Sequence, residues 1–150
     1  MNRMRLLDLP ADRMDGEVVA ALFFQDERPL QGPVALLDWR LGDPLTRALV
    51  CGQNRGRVGE HLLVINNGKL NSDWVLFVGG GSWHGLGPET YRRLIDHVLQ
   101  VCRNAGFRRI ALCLAPLVGM SSGDLEAMAN QSFRDLGCAD CEGLLSLETI

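Results

Sequence analysis

The sequence predicts a three-layer α/β/α domain with a mixed, mostly parallel sheet, and two observations support this fold class. Short apolar runs of strand length alternate with segments in which apolar residues recur every three or four positions. Strands that are apolar throughout belong to sheets covered by helices on both faces. Because 150 residues, 47% of them apolar, suit one compact unit, residues 1–150 are predicted to form a single domain.

The first predicted elements are a buried strand and two short helices. Residues 17–24, EVVAALFF, form an apolar run with β-branched and aromatic members. From residue 32 to residue 50 the apolar side chains recur at helical spacing. Gly42 and Pro44 must divide this stretch, because a proline inside a helix removes a hydrogen bond and clashes with the preceding turn.

A hairpin and a long helix are predicted next. The apolar runs at 60–67 and 74–80 flank a turn-rich segment, so we expect them to pair as antiparallel neighbours. Residues 88–105 place apolar side chains at steps of three and four, and Gly106 follows as a typical helix end. This pattern predicts an amphipathic helix that starts with Pro88.

The last third of the chain predicts a strand, a helix and a strand. Residues 109–115, RIALCLA, have the length and composition of a buried strand. The next helix is expected to begin near Ser122, with that residue as its cap, and to end at Gly137. Residues 143–149 predict the final strand.

Charge and the N-terminal segment exclude several partner classes. The 15 basic and 18 acidic residues give a net charge of -3, and the arginines of the long helix are interleaved with acids, so we do not expect nucleic acid as a partner. No apolar run approaches the roughly 18 residues that a membrane span requires. Asp8 and Pro10 interrupt the first apolar stretch before a signal-peptide core could form, which predicts a cytoplasmic protein.

Five cysteines are present. Cys102 and Cys113 lie in apolar segments where free thiols usually pack as small hydrophobic groups, which suggests a reducing compartment. Cys138 and Cys141 have the CxxC spacing, but they follow a helix, whereas redox pairs usually open one. A zinc site would need two further ligands, and no second closely spaced pair exists. No metal or cofactor is therefore predicted.

The stretch GGGSWHGLG, residues 79–87, resembles a ligand site more than any other segment. It lies between a predicted strand and a predicted helix, where unpaired N–H groups and the helix dipole can hold a phosphate. The specific fingerprints fail, because His84 stands where a dinucleotide motif read from Gly79 needs its third glycine. Glu89 in the first helical turn would also repel a phosphate.

Two interpretations of this loop stay open. In the favoured one, Gly79 to Gly81 allow close packing, while Gly85 and Gly87 adopt turn conformations. In the other, the loop binds a phosphate-bearing ligand. The predicted ligand-binding residues are Gly79, Gly80, Gly81, Ser82 and Gly85. Trp83 and His84, at the predicted loop tip, are the expected protein-contact residues, since an exposed aromatic side chain is a frequent interface anchor.

No catalytic set is predicted. His61, His84 and His97 fall on a strand start, the glycine loop and a helix, so no motif brings them together. Ser121 and Ser122 lack the GxSxG context of a nucleophile elbow. The chain is therefore predicted not to be an enzyme.

An ordered series of segments runs from residue 17 to residue 135. The turn GRVGE at 56–60 leads into LLVIN, and WVLFVGGG, PETYRRLIDHVLQVCRNAG and RRIALCLA follow. EVVAALFF and the two short helices precede this turn. The series resembles the N-terminal domain of the leucine aminopeptidase family, in which a Gly-Lys-Ala-Gly-Glu-like turn precedes the corresponding strand.

The resemblance implies a macro-domain-like fold that lies beside a peptidase domain, contributes to oligomer assembly and carries no catalytic residue. The family's metal-binding stretch, Asn-Thr-Asp-Ala-Glu-Gly-Arg, belongs to the peptidase domain and has no counterpart here. We therefore expect a non-catalytic domain that self-associates or binds a protein partner. Two alternatives stay open: a macro-like module that binds a phosphate-containing ligand such as ADP-ribose, and a detached accessory domain of a metallo-aminopeptidase.

Overall fold

The computed structural model describes residues 3–27 and 29–148. Within these ranges the strands are β1 (Arg5–Leu6), β2 (Val18–Phe23), β3 (His61–Ile65), β4 (Trp74–Gly79), β5 (Arg109–Leu114) and β6 (Glu142–Leu147). The α-helices are α1 (Gly32–Arg40), α2 (Pro44–Val50), α3 (Pro88–Asn104) and α4 (Ser122–Leu136). A 3-10 helix at Ala11–Arg13 precedes β2.

The strands form one sheet in the order β1-β6-β5-β2-β4-β3. All neighbouring strands are parallel except β3 and β4, which are antiparallel with His61 opposite Val78 and Ile65 opposite Trp74. The predicted hairpin is therefore confirmed. It supplies the one antiparallel pair among the described strands, so the sheet is mixed and mostly parallel, as expected.

Alternation along the strands builds two cores, one on each face of the sheet. In β2 every residue is buried; Val18 and Ala20 pack toward α3 and α4, whereas Val19 and Ala21 pack toward α1 and α2. Because both faces of the central strands are covered by helices, the domain has three layers. The predicted α/β/α class is confirmed.

The break between α1 and α2 is held by a buried carboxylate. Asp43 has a positive φ of 67° just before Pro44, which turns the chain sharply. Asp38, at the end of α1, accepts hydrogen bonds from the backbone N–H of Leu45 at 2.7 Å and of Thr46 at 3.1 Å. The Thr46 hydroxyl donates to the same side chain at 2.5 Å. Asp38 thus satisfies donors that the first turn of α2 leaves unpaired.

Two short elements near the N-terminus were not predicted. The strand Arg5–Leu6 has only two residues, and the 3-10 helix Ala11–Arg13 has three, so neither produces a periodic pattern. The strand is defined by its parallel pairing with Leu144 and Leu145 of β6. Such a contact between distant parts of the chain leaves no local sequence signal.

The last two elements differ slightly from the prediction. The cap of α4 is Ser121 rather than Ser122, since the Ser121 hydroxyl accepts a hydrogen bond from the N–H of Asp124 at 3.0 Å. The predicted cap was thus wrong by one residue, whereas the predicted start of the helix near Ser122 is confirmed. The final strand ends at Leu147, and the predicted end at Thr149 lies outside the described residues.

Candidate functional site

A cleft of about 490 Å³ opens at the carboxyl ends of β2 and β5. These adjacent parallel strands lead to helices on opposite faces of the sheet, because β2 continues to α1 and β5 continues to α4. Such a crossing point is where open α/β sheets usually hold their ligands. The cleft is lined by residues that follow β2, by the glycine loop, by residues 113–116 and by Glu148.

The glycine loop turns its first backbone donors toward the protein itself. The N–H of Gly79 donates to the carbonyl of Glu60 at 2.8 Å. The N–H of Gly80 donates to the carbonyl of Phe23 at 2.8 Å. Further along, the N–H of Gly81 donates to the carbonyl of Gly56 at 2.7 Å. Three of the donors that the sequence offered to a phosphate are therefore engaged inside the fold.

Gly79 and Gly80 are packed too closely for a side chain. A Cβ on Gly79 would lie 2.1 Å from the carbonyl oxygen of Arg57, and one on Gly80 would lie 2.4 Å from the ring of Phe24. Gly81 has a positive φ of 78° and Gly85 one of 76°, which favour glycine. These contacts agree with the packing interpretation for Gly79 to Gly81 and Gly85, with the difference that the close neighbours are residues 56–57 and Phe24. The turn conformation predicted for Gly87 was wrong, since this residue is extended and caps α3.

Asp26, in the segment that follows β2, contacts the middle of the glycine loop. Its carboxylate accepts hydrogen bonds from the backbone N–H of Trp83 at 2.8 Å and of His84 at 3.0 Å. The hydroxyl of Ser82 donates to it at 2.9 Å. These donors, the Trp83 N–H first, hold the pKa of Asp26 well below its usual value. The loop does bind an anion, and that anion is a side chain of the same protein.

The lowered pKa of Asp26 predicts how the loop responds to acid. A carboxyl whose pKa is lower in the folded state stabilises that state above its unfolded pKa of about 4. This stabilisation is lost as the pH falls through the folded-state pKa. We therefore expect the N–H groups of Trp83 and His84 to stay protected from hydrogen exchange from pH 7 to about pH 4, and to lose protection only in stronger acid.

The variant Asp26→Asn provides the check, because it removes the charge and keeps the shape. Exchange of these two amides at pH 7, measured by NMR, should be several-fold faster than in the wild type. Glu89→Gln, in the first turn of α3, is the matched control and should exchange as the wild type does. Equal protection in Asp26→Asn would contradict the role given to this carboxylate.

A second carboxylate, that of Glu148, lies beside the start of α1. Glu148 places its Oε2 atom 2.5 Å from where a Cβ on Gly32, the first residue of α1, would stand. Its own N–H donates to the carbonyl of Leu114 at 2.8 Å, which fixes it beside the end of β5. A helix N-terminus attracts anions, and here a carboxylate of the chain lies there already.

The cleft is consequently acidic. Asp26, Glu27 and Glu148 line it, and none of the lining residues that the structure describes is a Lys or an Arg. The one basic side chain of the lining is His84, whose Nε2 lies 3.8 Å from Asp26 and whose side chain is 85% exposed. Such a lining disfavours the binding of a diphosphate, since the negative phosphates would lie close to negative carboxylates and be repelled by them.

Trp83 is half-buried rather than exposed at a loop tip. Its ring meets Phe24 edge-on with centroids 5.0 Å apart, and it meets Tyr91 in the same way at 6.5 Å. The Tyr91 hydroxyl donates to the carbonyl of Ala115 at 2.5 Å, and burial raises the pKa of Tyr91. The exposure assumed for Trp83 was wrong, whereas His84 is exposed as expected.

A second cleft, of about 510 Å³, separates the glycine loop from the segment that leads into α4. Its walls are largely apolar and include Leu86, Leu117, Met120 and Met128. Val118 beside it is 97% exposed. No sequence motif signals this cleft, because its walls come from segments that are distant in sequence.

The cysteines provide no exposed reactive pair next to either cleft. Cys102 and Cys113 are buried, and burial raises the pKa of each thiol to about 12, so the thiolate is disfavoured. Cys138 and Cys141 are joined in a disulfide, which the sequence context had not led us to expect. Asp140 lies beside them, within 4.8 Å of both sulfurs, and its carboxylate accepts a hydrogen bond from Arg108 at 3.1 Å.

None of the described helices is both long enough and apolar enough to cross a bilayer. The three histidines remain separated: His61 lies on β3, His84 on the glycine loop and His97 on α3. The glycine loop thus borders two of the clefts formed by the described residues, and of the three histidines His84 alone lines them.

Comparison with solved structures places the fold. A mutant of tomato leucine aminopeptidase matches with a TM-score of 0.73 at 18% identity, over 99% of this chain and 32% of that one. The macrodomain of Mycobacterium tuberculosis DarG has a TM-score of 0.73 at 14% identity, covering 99% of this chain and all of that one. A Trypanosoma brucei macrodomain in complex with ADP reaches 0.73 at 16% identity, over 97% and 63% of the two chains. The fold is therefore macrodomain-like.

Sequence comparison identifies the family. The probable cytosol aminopeptidase of Pseudomonas aeruginosa UCBPP-PA14 is 30% identical over 96 residues, which make up 64% of this chain and 19% of that enzyme. The cytosol aminopeptidase of strain PAO1 is 31% identical over 90 residues. The chain thus spans about a fifth of the length of these relatives. Residues 20–134 match the N-terminal domain of the cytosol aminopeptidase family. Because this match covers more than half of the chain, the protein belongs to that family through its N-terminal domain.

Proposed function

We propose that this chain is a non-catalytic, cytoplasmic domain that acts by protein association, in oligomer assembly, rather than by holding a phosphate ligand. One observation carries the proposal: in the cleft at the ends of β2 and β5, carboxylates of the chain lie at the glycine loop and beside the start of α1, the two places where an anion would be attracted. Asp26 takes the N–H groups of Trp83 and His84, and Glu148 lies at the start of α1. These carboxylates serve the internal packing of the cleft. The function is therefore assigned to the outer surfaces of the domain.

A non-catalytic role agrees with the chemistry of the described side chains. A two-metal hydrolase needs several carboxylates that converge on metals about 4 Å apart. Here Asp26 is engaged with backbone donors, and the two fully buried thiols are poor nucleophiles because their pKa is raised. Within the proposal, His84 is the contact residue of the glycine loop, and Trp83 supports it from beneath.

Sedimentation velocity on the full chain tests the proposal. We expect a mass above the 16.5 kDa of one chain at micromolar concentrations, with the proportion of the larger species rising as concentration rises. This expectation follows from association with a second copy, whereas association with a different protein would appear as a complex only after that protein is added. A single species of one-chain mass at all concentrations, together with no complex after mixing with a cytosol aminopeptidase, would count against it.

The second candidate function is a macro-like module for a phosphate-containing ligand such as ADP-ribose. Two observations favour it: the main cleft lies at the carboxyl ends of parallel strands, and a macrodomain solved with ADP shares the fold. The ligand would contact the loop through the predicted residues, which are Gly79, Gly80, Gly81, Ser82 and Gly85. It would also have to displace Asp26 from the N–H groups of Trp83 and His84.

Calorimetry with ADP-ribose separates the two candidates. We expect the wild-type chain to release no heat and to show no thermal shift at millimolar ligand, because the acidic lining and the engaged donors oppose the diphosphate. Asp26→Asn removes one charge and serves as the comparison. Saturable binding of ADP-ribose by the wild type would reverse the order of the two candidates.

A further inference from the structure

The free edge of the sheet at β3 has a defined set of unpaired backbone groups. β3 is the last strand in the sheet order and pairs with β4 alone among the described strands. The hydrogen bonds from Gly79 N–H to the Glu60 carbonyl and from Asn66 N–H to the Asp73 carbonyl mark the bonded pairs of the ladder. In an antiparallel pair such positions alternate, so Leu62 and Val64 also bond to β4. His61, Leu63 and Ile65 therefore direct their N–H and C=O groups outward.

Two of these three residues, Leu63 and Ile65, expose apolar side chains. Leu63 is 41% and Ile65 is 63% exposed, whereas Leu62 and Val64 pack against the core on the other face. Edge strands in natural proteins are usually protected by lysine, proline, a bulge or an inward-pointing charge. The segment His61–Ile65, HLLVI, has none of these features. An unprotected edge of this kind is suited to pairing with another strand.

We infer that β3 pairs antiparallel with β3 of a second copy of this chain, around a two-fold axis at Leu63. The inference rests on the proposed association function and names its surface. Around that axis Leu63 stands opposite its own copy, and His61 stands opposite Ile65. Because these three residues direct their backbone groups outward, each pair that they form in this register exchanges hydrogen bonds, while the Leu62–Val64 pairs between them are the non-bonded pairs of the ladder.

The side chains also favour a second copy. Leu62 comes opposite Val64 on the core-side face, and Leu63 meets Leu63 on the other face, so apolar groups meet at the centre of the strand, with His61 opposite Ile65 at its ends. No carboxylate or ammonium group of the strand meets a like charge, since His61–Ile65 contains neither. Pairing extends the sheet across the two copies in an isologous interface, which closes without forming a fibre.

The test compares two lysine variants of the full chain by sedimentation velocity. Leu63→Lys places two ammonium groups opposite each other at the axis and should raise the dimer dissociation constant at least about tenfold. Val118→Lys changes an equally aliphatic and more exposed residue in a distant loop and should dimerise as the wild type does. Melting temperatures and circular dichroism of both variants establish that each is folded.

A cysteine variant tests the register. Leu63→Cys, made with Cys51→Ser to remove the exposed native thiol, should form a covalent dimer on oxidation. The Cα atoms of directly opposed residues in a bonded pair lie about 5.5 Å apart, which falls within the range of Cα separations that a disulfide spans. The inference is overturned if the wild type shows no dimer, or if Leu63→Lys dimerises normally and Leu63→Cys does not cross-link. If His84→Ala instead abolishes the dimer, the interface is the glycine loop, and the association function stands without β3.

Discussion

Replacing Gly79 with Ala should lower the free energy of unfolding by about 3 kcal/mol, near the upper end for overpacking of a buried site. The added Cβ would stand 2.1 Å from the carbonyl oxygen of Arg57. That neighbour is backbone and cannot rotate away as a flexible side chain could. Relief would require the 56–57 segment to move, and the hydrogen bond from the Gly81 N–H to the Gly56 carbonyl would be strained as well.

Gly87→Ala is the matched control for this substitution. Gly87 caps α3 with a φ of -96°, and a Cβ there would meet nothing within 4 Å. Urea unfolding followed by circular dichroism should give a much lower midpoint for Gly79→Ala and a nearly unchanged one for Gly87→Ala. Similar midpoints for the two variants would mean that the strand end can move aside, and the packing interpretation of the loop would fail.

Replacing Asp38 with Ala should cost about 2–4 kcal/mol of unfolding free energy. The substitution removes the acceptor for the N–H groups of Leu45 and Thr46 and for the Thr46 hydroxyl. Asp38 is 2% exposed, and Leu45 is fully buried, so water cannot readily replace the lost acceptor. The start of α2 should therefore loosen, even though its sequence is unchanged.

Asp38→Asn serves as the graded comparison, because its amide keeps one oxygen acceptor in nearly the same shape. Its loss should be smaller than that of Asp38→Ala in the same urea experiment. Hydrogen exchange at the Leu45 and Thr46 amides should be fastest in Asp38→Ala. An alanine variant as stable as the wild type would show that the carboxylate does not hold the two helices together.

Several elements could be predicted because their causes are local. A proline inside an apolar helical pattern ends one helix and can start the next. The division of residues 32–50 at Pro44 therefore followed from the local sequence. The three- and four-residue spacing of apolar side chains along 88–105 corresponds to the buried face of α3. The turn-rich segment between β3 and β4 allowed a hairpin between sequence neighbours.

The candidate site was harder to predict because it is assembled from distant residues. Asp26 reaches Ser82 across 56 positions, and nothing in the local sequence distinguishes this aspartate from the other aspartates of the chain. The depth of Trp83 depends on Phe24 and Tyr91, which come from two other segments. The run of glycines indicated an unusual backbone conformation. Whether that backbone serves packing or ligand binding depends on which residues lie against it, and these come from distant parts of the chain.

The carboxylate of Asp26 acts on the glycine loop as a tethered competitor. Because it is attached to the same fold, its local concentration at the N–H groups of Trp83 and His84 greatly exceeds that of a dissolved anion in the millimolar range. A free anion must therefore bind tightly enough to overcome this intramolecular rival before any occupancy is measurable. Asp26, which lies outside the loop, is thus the residue that such an anion would have to displace.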